Sequence, residues 1–407
     1  MKEATIIGGG IGGLTTALML ARRGMQVRVL ERAPEFAEVG AGLQLAPNVT
    51  RVLARWGLLD ELDPYVVRPR RLVAFDGVSG EELTELDLAD AERRYGGPYI
   101  VLHRSDLLTT LLRACQREPG IELLPGSPVA GVQDQGERVL IRLADGRELT
   151  TAVLIGADGL RSVVRPTLVA DEPVNSGYVA YRGTLAAEDM LPGTPMDEVR
   201  VFFAPGAHLV QYPVRAGELY NQVAVFRSAS YAAGAEDWGT PEELDAAYAG
   251  CCDHVTSAIP SLHRNRRWPM ADRDPAPRWT AGRVALLGDA AHAMLQYLAQ
   301  GAGQAILDAD ALAGRLPGLP ATADTEQVAR TLAGYETARL PVASAVQTAA
   351  RAWGEMWHVD GPAASLRNEA FRLRRPDDYR HIDWLYGPAQ PTAVPSDPDP
   401  VPAPLGR

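Results

Sequence analysis

The chain has 407 residues and a formal net charge of −11 at pH 7, with 46% hydrophobic and 22% charged residues. These fractions are ordinary for a globular protein, and the acidic excess argues against nucleic acid or an anionic membrane surface as a partner. The length is sufficient for two or three domains with a sizeable core. Small molecules are therefore the favoured ligands.

The cysteines and the N-terminal segment indicate a cytoplasmic protein. Cys115, Cys251 and Cys252 form neither a Cys-x-x-Cys pair nor a zinc-ligand pattern, which favours a reducing compartment and predicts no metal site. A lysine before the first apolar run suggests a secretory signal, but five of the six residues from 8 to 13 are glycine, which would break such a helix. No later segment approaches the roughly 18 uncharged apolar residues that a membrane span needs.

Hydrophobic periodicity predicts helices and strands along most of the chain. In chain order these are strand 4–8, helix 12–23, strand 27–31, strand-like segment 70–88, helix 105–117 starting at Ser105, a hairpin around 144–147, antiparallel strands between 174 and 228, strand 284–289, and helices 301–316, 325–353 and 362–373. The last twenty residues contain seven prolines and predict an extended or disordered tail.

The order of these elements predicts an α/β fold with an α+β insertion: a Rossmann-like dinucleotide-binding domain interleaved with an antiparallel-sheet substrate domain, followed by C-terminal helices. The predicted parts are 1–173 (dinucleotide-binding, with strand insertion 68–98 joining the substrate sheet), 174–278 (substrate sheet), 279–320 (dinucleotide-binding, second part), 321–387 (helical) and 388–407 (tail).

A dinucleotide-binding motif follows the first strand. Gly8, Gly10 and Gly13 form G-x-G-x-x-G, and Glu31, followed by Arg32, closes the second strand 18 residues after the last glycine. Glycines let the backbone approach a pyrophosphate at a helix N-terminus, and a carboxylate at this distance bonds a ribose hydroxyl. The pattern does not separate FAD from NAD, and a merely tight turn is the structural alternative.

Two further segments carry a family resemblance. GADGLRSVVR (156–165) and GRVALLGDAAH (282–292) resemble the second and third fingerprints of the flavin-dependent aromatic hydroxylases of the para-hydroxybenzoate hydroxylase type. The resemblance implies tightly but non-covalently bound FAD, NADH as electron donor, and hydroxylation by O2 through a flavin hydroperoxide. It implies that Asp158, Gly159 and Asp289 bind the cofactor, while His292 supports the turn that positions Asp289.

Two other motifs point toward the flavin ring. HRSDL (103–107) resembles the segment whose arginine reaches the flavin in this family, here Arg104; a surface arginine before a helix cap is the alternative. In GAGQ (301–304), we predict that backbone N–H groups of Gly301 and Ala302, at the positive end of a helix, stabilise the reduced flavin. Close helix packing would explain the same glycines.

The predicted substrate residues lie in HLVQYPV (208–214) and LQYLAQG (295–301). Strand alternation places His208 and Tyr212 on one face. The resemblance implies that His208 draws a proton from a phenol of pKa near 10, while Tyr212 and Gln296 orient the ring. Gln296 stands where many relatives have proline, and an amide can both donate and accept. The alternatives are a structural histidine and a glutamine that caps backbone, and no arginine clamp for a substrate carboxylate is evident.

The overall pattern, including YRGT (181–184) and WGEMWHVDG (353–361), resembles most the family members that convert 3-hydroxybenzoate to gentisate. Hydroxylation of salicylate, or of a larger biosynthetic phenol or quinone, remains an alternative. A non-catalytic flavin-binding redox protein is the alternative from another class. Apolar residues near Trp353 and Trp357 allow a homodimer or simple packing on the core.

Overall fold

The computed structural model describes residues 3–37, 41–190 and 193–387, so the tail predicted at 388–407 lies outside the described residues. The strands are β1 (Glu3–Ile7), β2 (Gln26–Leu30), β3 (Gly42–Leu45), β4 (Arg71–Asp76), β5 (Glu82–Asp87), β6 (Ile100–His103), β7 (Ile121–Leu124), β8 (Val129–Asp134), β9 (Val139–Leu143), β10 (Glu148–Thr151), β11 (Leu154–Gly156), β12 (Val174–Ala186), β13 (Glu198–Ala204), β14 (Ala207–Val214), β15 (Leu219–Arg227), β16 (Trp268–Asp272), β17 (Thr280–Ala281) and β18 (Val284–Leu286).

The described residues form thirteen α-helices, of which the sequence predicts five, near 12–23, 105–117, 301–316, 325–353 and 362–373. The helices are α1 (Ile11–Ala21), α2 (Pro47–Arg55), α3 (Leu59–Leu62), α4 (Leu88–Tyr95), α5 (Arg104–Arg117), α6 (Ala229–Ala232), α7 (Pro241–Tyr248), α8 (Asp253–Ala258), α9 (Asp289–His292), α10 (Gly301–Ala313), α11 (Thr325–Trp357), α12 (Gly361–Arg372) and α13 (Asp383–Tyr386). Nowhere in the described ranges is a helix both long and apolar enough to cross a membrane.

The first sheet has the order β17-β18-β11-β1-β2-β7 and is parallel except at the β17–β18 pair. Its central strands are buried apolar runs, as expected for a sheet covered on both faces. Helix α1 packs beside it against α5 and α10. Because β18 enters the sheet only after residue 283, this sheet is built from two distant stretches of chain.

The second sheet has the order β16-β12-β15-β14-β13-β4-β5 and is antiparallel except where β13 pairs with β4. One of its faces packs against α7 and α8 through residues such as Leu209, Phe226 and Leu244. The opposite face packs against the C-terminal region through residues such as Val210, Tyr297 and Trp357. The α/β class with an antiparallel sheet and C-terminal helices is therefore confirmed.

Two of the helix boundaries that differ from the prediction lie beside site residues. Helix α5 begins at Arg104 rather than at Ser105, and the Ser105 hydroxyl lies 2.7 Å from His103 Nδ1 instead of capping the helix. Helix α11 starts at a capping box formed by Asp324 and Gln327 and continues to Trp357, past the predicted end at 353. His358 follows directly, so the end of α11 fixes the position of this histidine.

Candidate active site

A cavity of about 1060 Å³ lies between the two sheets and the C-terminal helices. Its wall includes the glycine turn after β1, the face of the second sheet that carries Val210, and the segment before α10. Typical small-molecule sites enclose roughly 300–1,000 Å³. A cavity of this size can hold a large cofactor and a small aromatic ring together.

The glycine turn presents the N-terminus of α1 to this cavity. Gly8 has a φ of +108°, a conformation that glycine adopts without strain. A Cβ on Gly13 would lie 1.9 Å from the carbonyl oxygen of Gly8, so the close packing of turn and helix requires glycine there. Gly10, the N-cap of α1, lines the cavity, and a Cβ built on it has no heavy atom within 4 Å. This open helix terminus fits a pyrophosphate.

Glu31 directly follows β2 on the cavity wall, with Arg32 beside it at the exposed rim. Its Oε2 accepts a hydrogen bond from Gly9 N at 2.7 Å, and its Oε1 accepts one from Ala33 N at 2.8 Å. These bonds hold the carboxylate next to the glycine turn, and its remaining lone pairs would be available to a ribose hydroxyl.

We expect Glu31→Gln to weaken FAD binding roughly tenfold, since hydrogen bonds to a charged group are worth about 1.5–3 kcal/mol. Quenching of flavin fluorescence during titration of the FAD-free protein measures the dissociation constant. Glu35→Gln, a change at an exposed carboxylate near the same strand end, is the matched control. Equal dissociation constants for the two variants would contradict a ribose-binding role for Glu31.

Asp158 and Gly159 also line the cavity, but the Asp158 carboxylate bonds within its own loop. It accepts from Ser162 Oγ at 2.6 Å and from Val163 N at 2.7 Å. Burial raises its pKa, although these bonds favour the ionised form. The geometry therefore supports a role in shaping the cofactor loop more than the direct contact that the resemblance implies.

The turn that carries Asp289 rests on a buried polar network. His292 Nε2 lies 2.6 Å from Asp308 Oδ2, which also accepts from Gly288 N at 3.1 Å. The other Asp308 oxygen accepts from Arg339 Nε at 2.7 Å. Burial alone raises the Asp308 pKa, but His292 and Arg339 outweigh it and the pKa is lowered. The network supports the turn that carries Asp289, and Asp289 lies on the cavity wall.

The N-terminus of α10 forms the far end of the cofactor half, where Gly301, Ala302 and Arg104 line the cavity. Its N-cap, Gln300, is 1% exposed; its Oε1 accepts from Asn48 Nδ2 and from Gln304 Nε2, both at 2.9 Å. Its Nε2 is buried and has no hydrogen-bond partner among the described residues. An unsatisfied buried donor beside a helix N-terminus fits the carbonyl oxygens of a flavin ring.

The substrate half is formed by the second sheet. His208, Val210 and Tyr212 of β14 all line the cavity, whereas Gln211 points to the other face and bonds Gln222. The register aligns one row across the sheet on the cavity face: Ala74, Val201, Val210, Val223 and Arg182. An apolar floor with a few polar groups at its edges is typical of a site for a small aromatic ring.

His208 is fully buried, and its Nδ1 lies 2.8 Å from Nε2 of His358. Its Nε2 is buried and finds no hydrogen-bond partner within the described chain. Burial, and secondarily His358, hold the pKa of His208 well below its usual 6.5. His208 is therefore a neutral imidazole at pH 7 on the wall of the cavity.

Tyr212 and Gln296 occupy other parts of the same wall. The side chain of Gln44 lies close enough to the Tyr212 hydroxyl to affect its pKa, and its Oε1 accepts a hydrogen bond from the Tyr99 hydroxyl at 2.6 Å. A Cβ on Gly42 would lie 2.5 Å from the Tyr212 ring, so the backbone of β3 packs directly on it. Gln296 begins a short 3₁₀ turn, and its Oε1 lies 3.5 Å from an Arg182 Nη2. The site residues predicted in this half therefore line one cavity.

Arg182 is a residue of this cavity that the sequence did not single out, although it belongs to the YRGT segment. Its guanidinium lies 5.2 Å from the centre of the Trp268 ring and close enough to Tyr212 to affect the pKa of that hydroxyl. Alternation along β12 separates Arg182 from Tyr181, but only the complete sheet shows that Arg182 is on the cavity face. Arg182 therefore places a cationic group on the cavity wall.

Comparison with known proteins agrees with this geometry. Residues 1–350 match the family model described as an FAD binding domain. The chain is 36% identical to a 3-hydroxybenzoate 6-hydroxylase of Klebsiella oxytoca over 95% of this chain and 97% of that protein. It is 39% identical to a 3-amino-4-hydroxybenzoate 2-monooxygenase of Streptomyces cremeus, with 94% of both chains covered. The structure of Klebsiella pneumoniae HpxO complexed with FAD and uric acid superimposes with a TM-score of 0.81 at 25% identity, covering 95% and 96% of the two chains.

The fold and the site define a flavoprotein monooxygenase. The chain belongs to the FAD binding domain family, and within it to the FAD-dependent aromatic hydroxylases. The predictions of FAD as cofactor and of an aromatic hydroxylase are thereby confirmed.

Proposed function

We propose that the protein hydroxylates 3-hydroxybenzoate to gentisate, with oxygen entering para to the phenol and NADH supplying the electrons. The balance is 3-hydroxybenzoate, O2, NADH and a proton giving gentisate, water and NAD⁺. The observation that carries the proposal is the pairing of a neutral base, His208, with a cation, Arg182, on one cavity face. The identity to the Klebsiella oxytoca relative supports the same substrate.

Bound FAD supplies the activated oxygen, and the residues of this chain prepare the ring to receive it. An electron-rich phenolate reacts with an electrophilic oxygen far better than a phenol does. His208 Nε2 accepts the hydrogen bond of the phenol and takes its proton. Because a phenol pKa near 10 lies far above the lowered pKa of His208, the transfer depends on groups that stabilise the resulting imidazolium–phenolate pair.

Arg182, Gln296 and Tyr212 hold the opposite end of the substrate. The guanidinium of Arg182 pairs with the carboxylate, as planar donors do with carboxylates. Gln296 Oε1 accepts from Arg182 Nη2 at 3.5 Å, and the amide N–H of Gln296 donates to the same carboxylate. Burial raises the pKa of the Tyr212 hydroxyl, so Tyr212 remains a neutral donor. Together they fix which ring carbon faces the flavin.

The test is NADH consumption with product identification for the FAD-loaded protein offered 3-hydroxybenzoate, salicylate, 4-hydroxybenzoate and 3-amino-4-hydroxybenzoate. We expect gentisate from the first compound, with NADH and product in equal amounts. Preferential turnover of 3-amino-4-hydroxybenzoate would instead indicate that this protein has the substrate specificity named for the Streptomyces relative. If none of the phenols changed the rate of NADH oxidation, the proposal would be refuted and a non-catalytic flavoprotein would be favoured.

A further inference from the structure

The base of the proposed reaction is half of a buried histidine pair. His208 and His358 are 150 residues apart in sequence, yet their imidazole rings lie 5.0 Å apart at an interplanar angle of 23°. A single hydrogen bond of 2.8 Å joins Nδ1 of the first to Nε2 of the second. One proton occupies that bond, so one ring donates and the other accepts.

The surroundings keep His358 uncharged. Burial and the positive charge of Arg367 lower the His358 pKa to about 3. Arg367 is anchored by donating to the Trp357 carbonyl at 2.6 Å and lies 4.0 Å from the Asp76 carboxylate. Tyr178 stacks on the His358 ring at 4.5 Å. The titratable and charged groups that face the pair are Tyr178, Tyr248, Tyr297, Arg367 and Asp76.

We propose that His358 is a positioning residue: its Nε2 accepts a hydrogen bond from His208 Nδ1–H, which leaves the lone pair of His208 on Nε2, the ring nitrogen without a partner among the described residues. The inference rests on the proposed phenol hydroxylation. In the reverse arrangement His208 would present an N–H to the phenol oxygen and could not take a proton there. A bound phenol, which donates its own O–H, selects the arrangement in which His358 accepts.

This pair works as a neutral counterpart of a carboxylate–histidine pair. The phenol proton goes to His208 Nε2, the Nδ1 proton stays in the bond to His358, and His358 remains uncharged beside Arg367. The resulting imidazolium is balanced by the phenolate that it has just formed. The acceptor at His358 stabilises that imidazolium and so favours phenolate.

His358→Asn and His358→Gln separate positioning from packing. The Gln side chain places an oxygen near the position of the imidazole Nε2, whereas the Asn side chain is too short. In the FAD-loaded enzyme without NADH, the absorbance of bound 3-hydroxybenzoate between pH 6 and 10 gives the midpoint of phenolate formation. We expect His358→Asn to raise this midpoint by about one to two pH units, the size of a lost hydrogen bond to a charged group. We expect kcat to fall at least tenfold and His358→Gln to restore most of both.

His254→Asn is the matched control, because His254 is a second histidine with a lowered pKa, but it contacts Gln211 and Phe202 on the opposite face of the sheet. A phenolate midpoint in His358→Asn equal to that of the unaltered enzyme would overturn the inference. If both His358 variants lost FAD, the role of His358 would be in packing, and the inference would be overturned as well. A failure of the unaltered enzyme to hydroxylate any phenol would instead refute the proposed function.

Discussion

Replacing His208 by asparagine is expected to lower kcat by about 10²–10⁴, the usual contribution of a general base, while FAD stays bound. The Asn amide can accept a hydrogen bond from the phenol but cannot take its proton. Steady-state NADH consumption with gentisate quantification measures the loss, and the flavin spectrum reports cofactor retention. His263→Asn, at an exposed histidine, serves as the control.

His208→Asn is also expected to change the pH dependence of turnover. Burial lowers the His208 pKa well below 6.5, so the base is neutral and competent from neutral pH down to that lowered pKa. Protonation of His208 can therefore reduce turnover only on the acid side, below pH 6.5, and His208→Asn should remove that acid limb. An unaltered pH profile with near-normal turnover in the variant would exclude His208 as the base.

The local motifs could be predicted because they depend on neighbours in sequence. The glycine turn, Glu31 at the end of β2 and the turn before Asp289 follow from a strand, a break and a helix in succession. The alternation that unites His208 and Tyr212 is equally local. Their placement in one cavity with Gln296 depended on the family resemblance, since separate segments carry no signal of their distance.

The rest of the site depends on contacts between distant segments. His358 reaches His208 because α11 extends to Trp357. Asn48 and Gln304 bind the oxygen of Gln300 and so fix the orientation of an amide nitrogen that has no partner among the described residues. The parallel pairing of β13 with β4 also has no local signature, because it joins strands more than a hundred residues apart. The sequence alone did not show that the side chain of Arg182 lies on the cavity face of the sheet.

Replacing Arg182 by methionine is expected to weaken the binding of 3-hydroxybenzoate about 10- to 100-fold, because a charge-assisted hydrogen bond worth roughly 1.5–3 kcal/mol is lost. Methionine retains an unbranched apolar stem that packs on Trp268, so the change removes charge more than volume. Titration of the flavin absorbance with substrate measures the dissociation constant. 3-Hydroxybenzyl alcohol, which has the phenol but lacks the carboxylate, should bind both forms of the enzyme about equally.

Arg266 offers a matched control for this experiment. Its guanidinium also stacks on Trp268, at 5.0 Å, but Arg266 does not line the cavity. Arg266→Met should therefore leave the affinity for 3-hydroxybenzoate unchanged. Arg182→Lys should bind this substrate more tightly than Arg182→Met but more weakly than the unaltered enzyme, because lysine keeps the charge without the planar guanidinium. Equal weakening of the benzoate and of the alcohol in Arg182→Met would show that Arg182 shapes the cavity and that another group binds the carboxylate. Weaker binding of the benzoate alone would identify Arg182 as the residue that binds the carboxylate and thereby orients the ring toward His208.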